Sequence, residues 1–266
     1  MIHHHDRPPA RAPGLRMEGY RGTGVPDARG YNERLFASGR LRRWYHDARY
    51  RWIADTLAVR GCRPESVIEL GCFDGKLIRF LPQRPVRYLG LDADWEGGLD
   101  IARREWGDEK VFEFRRCSSP VEMNLNGEIF DVSVCMDTLE HVPPELLEPY
   151  VVQLSRATRR CLMVTVPNEM GIAFAAKRIM KRFLGGDAEP YSMREFMDAT
   201  LGRMGRVPRH EHKGFDYGEL VLLLRKHFTF VEVTGIPLRS LPPALNFGVA
   251  ILATGGSRRP CYHSPL

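Results

Sequence analysis

Long hydrophobic runs are missing from this sequence. Its 266 residues are 43% hydrophobic, yet no stretch of about 18 of them is both apolar and uncharged. A membrane-spanning helix needs about 20 such residues. Residues 1–9 also lack the apolar core of a secretion signal. We therefore expect a globular protein of the cytoplasm without a membrane span.

Cysteine pairs are absent as well. None of the cysteines forms a C-x-x-C pair or has histidines at metal-ligand spacing. Disulfide-rich secreted domains and zinc modules show such spacings, so we expect free thiols, a reducing compartment and no metal ion. The six scattered cysteines are Cys62, Cys72, Cys117, Cys135, Cys161 and Cys261.

Charge is in small excess, with 39 basic against 33 acidic residues and a net charge of +6. An excess of this size bears on solubility and nonspecific association rather than on function.

Composition and periodicity divide the chain into four parts. Residues 1–30 are rich in Pro, Gly and Arg and are expected to be a flexible leader. Residues 31–64 read as an N-terminal helical segment, residues 65–256 as the main domain and residues 257–266 as a tail.

Within the main domain, short apolar runs alternate with helical patterns. This alternation predicts crossover units, and hence a parallel sheet with helices on both faces. A Pro-rich connection without a helix-length pattern separates the last two strands, which favours an antiparallel pair. The predicted fold class is α/β: a Rossmann-like, seven-stranded, mostly parallel sheet with one antiparallel strand. The predicted helices cover residues 76–81, a stretch after residue 94 that reaches residue 106, and residues 144–158, 171–183, 193–204 and 217–227. The predicted strands cover residues 66–70, 88–91, 111–115, 130–136, 161–166, 228–234 and 247–254.

A long interlude, residues 169–215, interrupts the alternation after the fifth strand. It is too long for an ordinary loop, so we expect a helical cap. Residues 171–183 are amphipathic and basic, which suits a lid over a substrate, peripheral contact with an anionic membrane, or a solvated helix.

The strongest motif is Glu-Leu-Gly-Cys-Phe-Asp-Gly at residues 69–75, directly after the first strand. Gly71 allows close backbone approach to a ligand, and Gly75 a tight entry into the next helix. Asp92 ends the second strand, where a carboxylate accepts hydrogen bonds from nucleoside ribose hydroxyls. The turn matches neither G-x-G-x-x-G nor a phosphate-binding P-loop, which argues against a dinucleotide or a nucleoside triphosphate.

Together with Gly90-Leu-Asp92 and the runs at residues 130–142 and 165–168, this turn resembles the ordered motifs of class I S-adenosylmethionine (SAM) methyltransferases. The branch of ubiquinone-type and small-molecule O-methyltransferases is the most similar. The resemblance covers about residues 66–254 and implies SAM as the cofactor. The implied cofactor-binding residues are Glu69, Gly71, Cys72, Phe73, Asp74, Gly75, Asp92, Ala93, Ser118, Cys135 and Met136.

Two positions depart from the family pattern. Phe73 stands where a middle glycine is common, and is acceptable if its ring packs away from the cofactor. Ser118 stands where the family often has an acidic residue at the adenine edge, which puts that contact in doubt.

Candidate catalytic and substrate-binding residues are those expected to lie beside the cofactor. His141, after the fourth strand, is a candidate base for methyl transfer, or else caps the next helix together with Glu140. His212 is the second candidate, or a solvated loop residue. Asp137 and Asn168 are candidate substrate contacts, or strand terminators.

On the N-terminal helix, Tyr45, His46 and Arg49 either border the cofactor cleft or lie on a solvated face.

The resemblance implies transfer of a methyl group to a small molecule, such as a hydroxyl of a sugar, glycolipid, quinone-like or polyketide compound. The alternatives are nucleic-acid methylation and a cofactor-binding protein without activity. Against the first stands the lack of an Asn/Asp-Pro-Pro-aromatic run and of an aromatic-basic patch. We therefore expect no nucleic-acid partner.

Overall fold

The computed structural model describes residues 40–183, 190–210 and 212–256. The predicted leader, the first part of the N-terminal helical segment and the tail lie outside these residues. In the described part of the chain, no helix is long and apolar enough to cross a membrane.

Seven strands form one sheet in the order β3-β2-β1-β4-β5-β7-β6. Strands β1 to β5 run parallel, and β7 is antiparallel to both of its neighbours. The predicted fold class, including the single reversed strand, is confirmed. The strands are β1 (Ser66–Leu70), β2 (Arg87–Asp92), β3 (Phe112–Arg116), β4 (Phe130–Met136), β5 (Thr158–Pro167), β6 (Phe228–Ile236) and β7 (Gly248–Gly256).

Helices cover both faces of the sheet. They are α1 (Arg40–Val59), α2 (Gly98–Trp106), α3 (Pro144–Ala157), α4 (Gly171–Phe183), α5 (Met193–Thr200) and α6 (Tyr217–His227). Short 3₁₀ turns occupy Lys76–Phe80, Trp95–Gly97, Val121–Met123, Leu139–His141, Met204–Arg206 and Pro243–Leu245.

Two predicted helices are shorter than expected. Residues 76–81 form only the 3₁₀ turn Lys76–Phe80, because Leu81 is extended and Pro82 follows. The helix predicted to reach residue 204 ends at Thr200, since Gly202 adopts a left-handed conformation with φ of 71° and bonds back to Ala199. In both places the apolar sequence pattern continues past the last helical residue, but the backbone there is no longer helical.

The core lies in two layers, one on each face of the sheet. Alternate side chains of a strand point to opposite faces; in β1, Ile68 packs with α3 and α6, whereas Val67 packs with α1 and α2. Every residue of β4 is buried, as expected for a central parallel strand covered on both sides.

Two helices form the predicted cap, α4 and α5. Phe174 of α4 is completely buried in a small separate cluster with Ala199, Met204 and Val207. Ser192 begins α5 with a capping box, because its hydroxyl accepts a hydrogen bond from the Glu195 amide while Glu195 accepts one from the Ser192 amide. The interlude therefore has a core of its own.

Asp131 fastens the amino end of the sheet. Its carboxylate accepts hydrogen bonds from the amides of Glu65 and Ser66 at 2.9 and 3.1 Å, and Arg159 lies 3.2 Å away. Burial raises the pKa of Asp131, but these amides and the guanidinium groups of Arg159 and Arg160 outweigh burial, so that the pKa is lowered overall.

We expect Asp131→Ala to lower the free energy of unfolding by about 3 kcal/mol at neutral pH, because the amides of Glu65 and Ser66 lose a charged acceptor. A lowered pKa in the folded state means that this stabilisation is present above the unfolded pKa and is lost on acidification. Urea denaturation at several pH values measures the difference, which should shrink below about pH 4. A constant difference at all pH values would contradict this account.

Candidate active site

Strands β1 and β4 lie side by side, although β2 and β3 come between them in the chain. The strand order reverses here, and such a switch point opens a crevice at the carboxyl ends of the strands.

The turn after β1 lies at this crevice. Gly71 has a φ of 79°, and a Cβ added to it would lie 1.9 Å from Oγ1 of Thr138. Thr138 directly precedes the turn Leu139–His141, so the glycine turn and the turn after β4 touch.

Asp92 organises the neighbouring strand end. Its Oδ2 accepts a hydrogen bond from the Phe73 amide at 3.0 Å, and its Oδ1 accepts one from the Asp94 amide at 2.7 Å. The side chain is buried, and burial raises its pKa while these amides lower it. Each oxygen keeps acceptor capacity beyond these bonds. One carboxylate therefore ties the glycine turn to the β2 end.

Phe73 has an unusual conformation for a residue with a side chain. Its φ is 46°, and its ring packs on Gly98, where a Cβ would lie 2.4 Å from the ring. Trp95 is a second aromatic neighbour, with 6.2 Å between ring centroids. The ring is thus directed toward the start of α2.

The rest of the glycine turn is close-packed. A Cβ on Gly75 would lie 3.1 Å from the Trp106 ring. Asp74 accepts a hydrogen bond from the Lys76 amide at 3.1 Å, and the Cys72 side chain is buried, with Sγ near Gly90.

The end of β3 lies beside Asp92. The Cys117 amide donates to the Asp92 carbonyl at 2.7 Å. Ser118 follows, its amide donating to Glu122 at 2.6 Å. Ala93 lies in the turn after Asp92. The carboxyl ends of β1, β2 and β3, which carry residues implied by the resemblance, therefore border one region.

Glu69 is only 1% exposed and is hydrogen-bonded to the Tyr88 hydroxyl on β2. Burial raises its pKa well above the ordinary value, and the nearby carboxylates of Asp74 and Asp92 raise it further. Glu69 is therefore protonated over a wider pH range than an exposed glutamate.

An acid with a raised pKa in the folded state stabilises the fold at low pH and loses this contribution as pH rises. We expect the unfolding free energy of the wild type to fall as the pH rises above the ordinary glutamate pKa of about 4.3, and more steeply than that of Glu69→Gln. Chemical denaturation across this range measures the two slopes. Glu113→Gln, which changes an exposed carboxylate on β3, is the control and should follow the wild type. Equal slopes for Glu69→Gln and the wild type would refute the prediction.

Helix α1 is fastened across the crevice. Arg49 forms an ion pair with Asp137, directly after β4, and Asp137 also accepts a hydrogen bond from Thr165 at 3.0 Å. The Tyr45 hydroxyl donates to the Phe247 carbonyl at 3.2 Å. Arg49 is 9% exposed, so it belongs to the crevice rather than to a solvated helix face.

The two candidate histidines come together although 71 positions separate them. Their ring centroids are 4.2 Å apart in an edge-to-face arrangement, and Nδ1 of His212 lies 3.8 Å from Oε1 of Glu140. Burial lowers the pKa of His212 to about 4, so this imidazole is neutral at physiological pH. Burial raises the pKa of Glu140 well above its usual value. A buried carboxyl and two imidazoles thus form one cluster, which can accept a proton or hold a cation.

Glu140 does not cap the next helix. Helix α3 begins after Pro143, and neither carboxylate oxygen of Glu140 accepts a hydrogen bond from another of the described residues. Glu140 is instead turned into the interior with 0% exposure. The pattern Leu-Glu-His after β4 is the signal that could have identified Glu140 as a site residue.

Asn168 and Cys135 have surroundings that do not favour direct side-chain contact with a ligand. Asn168 is fully buried, and its amide donates to the carbonyls of Asn246 and Pro243 at 2.8 and 3.3 Å. It therefore terminates β5, the second of the two roles considered for it. Cys135 is fully buried in the core, which leaves only its backbone for the cofactor, and Met136 is 8% exposed.

Residues 68–165 match a family model described as a methyltransferase domain. Two curated relatives are ubiquinone biosynthesis O-methyltransferases. The one from Stutzerimonas stutzeri (strain A1501) is 30% identical over 96 residues, which are 36% of this chain and 40% of the relative. The one from Hahella chejuensis (strain KCTC 2396) is 32% identical over 93 residues, 35% and 37% of the two chains. The chain thus spans well under half the length of these relatives.

Solved structures with low sequence identity share the fold. A SAM-dependent methyltransferase from Clostridium acetobutylicum ATCC 824 has a TM-score of 0.56 at 13% identity and covers 85% of this chain and 96% of its own. Magnesium protoporphyrin IX methyltransferase from Synechocystis PCC 6803, solved with bound S-adenosylhomocysteine, has a TM-score of 0.52 at 15% identity and covers 84% and 92%.

The sheet order, the glycine turn tied to Asp92 and the matched domain model agree with one another. The resemblance seen in the sequence is confirmed over residues 68–165, which match the model of a methyltransferase domain, and the chain shares the fold of solved SAM-dependent methyltransferases.

Proposed function

We propose that this protein is a SAM-dependent methyltransferase that transfers a methyl group to a hydroxyl of a small molecule. The observation that carries the proposal is the contact between Gly71 and Thr138. It brings the turn expected to hold the methionine end of SAM against the turn that leads to Glu140 and His141. A bound methyl group and an activated hydroxyl then meet in one crevice, and positioning of this kind supplies much of the rate.

The cofactor half of the site is assigned to the glycine turn and its neighbours. Asp92 accepts hydrogen bonds from the ribose hydroxyls, and the backbone at Cys72 and Phe73 meets the amino and carboxylate ends of the methionine. Glu69 lines the methionine moiety, and Ala93 and Ser118 border the adenine. Asp74, Gly75 and Met136 shape the turn and the wall around it.

The chemical half is assigned to His141 and His212. A hydroxyl oxygen attacks the methyl carbon, the carbon–sulfur bond breaks with its electrons staying on sulfur, and S-adenosylhomocysteine results. The hydroxyl proton passes to a neutral imidazole, for which His212 is in the right state. Asp137, held by Arg49 beside the cluster, is the proposed contact with the acceptor.

The chemical class of the methyl acceptor is the most specific part of the proposal. Sugars, glycolipids, quinone-like compounds and polyketides offer hydroxyls of suitable kind, and the relatives named for ubiquinone biosynthesis favour a quinone-like phenol. The sequence lacks the Asn/Asp-Pro-Pro-aromatic run of adenine and exocyclic-amine methylases, so a small molecule is preferred over a nucleic acid.

Two measurements test the function. Calorimetry with S-adenosylhomocysteine is expected to give saturable binding at one site per chain. Incubation of the protein with tritium-labelled SAM and an organic extract is then expected to label a component that partitions with small molecules. Label in RNA or DNA would favour nucleic-acid methylation, cofactor binding without any label would favour a protein without activity, and no cofactor binding would overturn the proposal.

A peripheral membrane contact through α4 is a separate proposal. Ile172 and Ile179 are 71% and 51% exposed, beside the exposed cations Lys181 and Arg182. Apolar and basic side chains together suit the surface of an anionic bilayer. Sedimentation with vesicles of phosphatidylglycerol, against vesicles of phosphatidylcholine, tests it, and Ile172→Ser with Ile179→Ser should abolish retention. The proposed location is the cytoplasm, with α4 in reversible contact with the membrane.

A further inference from the structure

Arg209 lies beside the turn after β4, in the segment between α5 and α6. Its guanidinium group donates a hydrogen bond to the Glu140 carbonyl at 2.5 Å, and its central carbon lies 4.6 Å from the centre of the Phe215 ring. The carbonyl and the ring hold the guanidinium plane in place. They use only one of the five N–H donors that an arginine offers. The other donors remain for a ligand.

The charge of Arg209 is not balanced by a neighbouring carboxylate. The side chain is partly buried, and among the described residues it forms no ion pair. Glu140 and Glu219 attract it only from a longer distance, and burial raises the pKa of Glu140 well above its usual value. Asp137 is already paired with Arg49. Because a buried cation without a counterion is unfavourable, an anionic group on a ligand would stabilise this arrangement.

The cap adds positive charge at the same place. Lys177 and Lys181 are one turn apart on α4. Burial has the largest effect on the pKa of His212; Asp137 raises this pKa, and the two lysines lower it. Lys177 is partly balanced by Glu169, 2.6 Å from its Nζ. Cations on two separate elements therefore act on the position where the methyl acceptor is proposed to bind, and such a cleft attracts anions.

We propose that the methyl acceptor carries an anionic group, a carboxylate or a phosphate, and that Arg209 binds this group with the lysines of α4 nearby. This inference rests on the proposed methyl transfer and narrows its substrate class. The planar fork of a guanidinium matches two oxygens of either group. Phenolic acids, sugar acids and sugar phosphates belong to this class. With its anion on Arg209, such an acceptor presents its hydroxyl to His141 and His212, and this orientation contributes to the rate.

The test titrates anions into four full-length proteins: wild type, Arg209→Gln, Arg209→Lys and Arg206→Gln. Arg206 is an exposed cation three positions earlier in the chain and provides the control. Benzoate and inorganic phosphate are the probes, and together they distinguish a carboxylate site from a phosphate site. Calorimetry measures each affinity with and without S-adenosylhomocysteine. Other cations of the protein are present in all four samples, so only the difference between them counts.

We expect the wild type and Arg206→Gln to bind at least one of the two anions with equal affinity. Arg209→Gln should bind it at least about tenfold more weakly, because charge-assisted hydrogen bonds are lost. Arg209→Lys keeps the charge but not the fork and should be intermediate; if Arg209→Gln does not fold, this variant decides. Equal anion binding in all the folded proteins, or no binding of either anion to the wild type, would overturn the inference.

The charge of the methylated product provides a second readout. Methylation of a hydroxyl leaves the anionic group in place, so the component labelled by tritiated SAM should be retained on an anion exchanger at pH 7. A labelled component that is not retained would overturn the anionic acceptor and leave the methyltransferase intact. Anion binding that depends on Arg209, without S-adenosylhomocysteine binding or any labelled product, would overturn the methyltransferase alone.

Discussion

Replacement of Asp92 by alanine is expected to weaken S-adenosylhomocysteine binding at least 100-fold. Hydrogen bonds to a charged group contribute about 1.5–3 kcal/mol each, and the two ribose hydroxyls would lose both. Because about 1.4 kcal/mol corresponds to a factor of ten, the lower bound is about 100-fold. The amides of Phe73 and Asp94 also lose their acceptor, so the glycine turn loosens as well. Calorimetry measures the dissociation constant.

Asp131→Ala is the matched control for this loss. Asp131 is also a buried carboxylate that holds two backbone amides, but it lies at the amino end of β4, away from the crevice. We expect it to lower stability and to leave the cofactor affinity of the folded protein within about twofold of the wild type. Asp92→Asn should be intermediate, since one acceptor oxygen remains. Equal affinities for Asp92→Ala and Asp131→Ala would exclude a ribose contact by Asp92.

Gly71→Ala is expected to abolish cofactor binding and to lower the unfolding free energy by about 3 kcal/mol or more. The new Cβ would lie 1.9 Å from Oγ1 of Thr138 at a φ of 79°. The left-handed conformation alone costs a non-glycine residue about 1–2 kcal/mol, and the overlap adds the rest by forcing the two turns apart. Denaturation and calorimetry on the same samples measure both effects.

Two further variants separate strain from overlap. Gly127 has a φ of 81°, with nothing within 4 Å of an added Cβ, so Gly127→Ala should lose only the conformational part and bind the cofactor normally. All three atoms nearest the new Cβ at Gly71 belong to Thr138. The double variant Gly71→Ala with Thr138→Gly should therefore regain part of the stability. If Gly71→Ala behaves like Gly127→Ala, the close approach of the two turns is not what makes Gly71 necessary.

Much of the fold was predictable from the sequence because its signals are local. Helix α4 and the strands β1 and β4 have the predicted bounds, since periodicity over a few residues reports which face is buried. Helix ends were less predictable. At Gly202 and after Phe80 the backbone conformation ends the helix, while the apolar pattern continues.

The candidate site likewise has some parts that the sequence predicts and others that it does not. The turn at residues 69–75 and Asp92 are recognisable in the sequence because glycines and a carboxylate directly after apolar strands form a local pattern that is typical of nucleoside binding. The family resemblance carried by these and the later strand ends implied SAM. The sequence could not place His212, 71 positions along the chain, edge to face with His141, nor show that Glu140 is turned inward beside both. Such contacts depend on how the segment after the cap folds back over β4. Local sequence therefore indicated the kind of cofactor, while tertiary packing alone decided that Glu140, His141 and His212 come together.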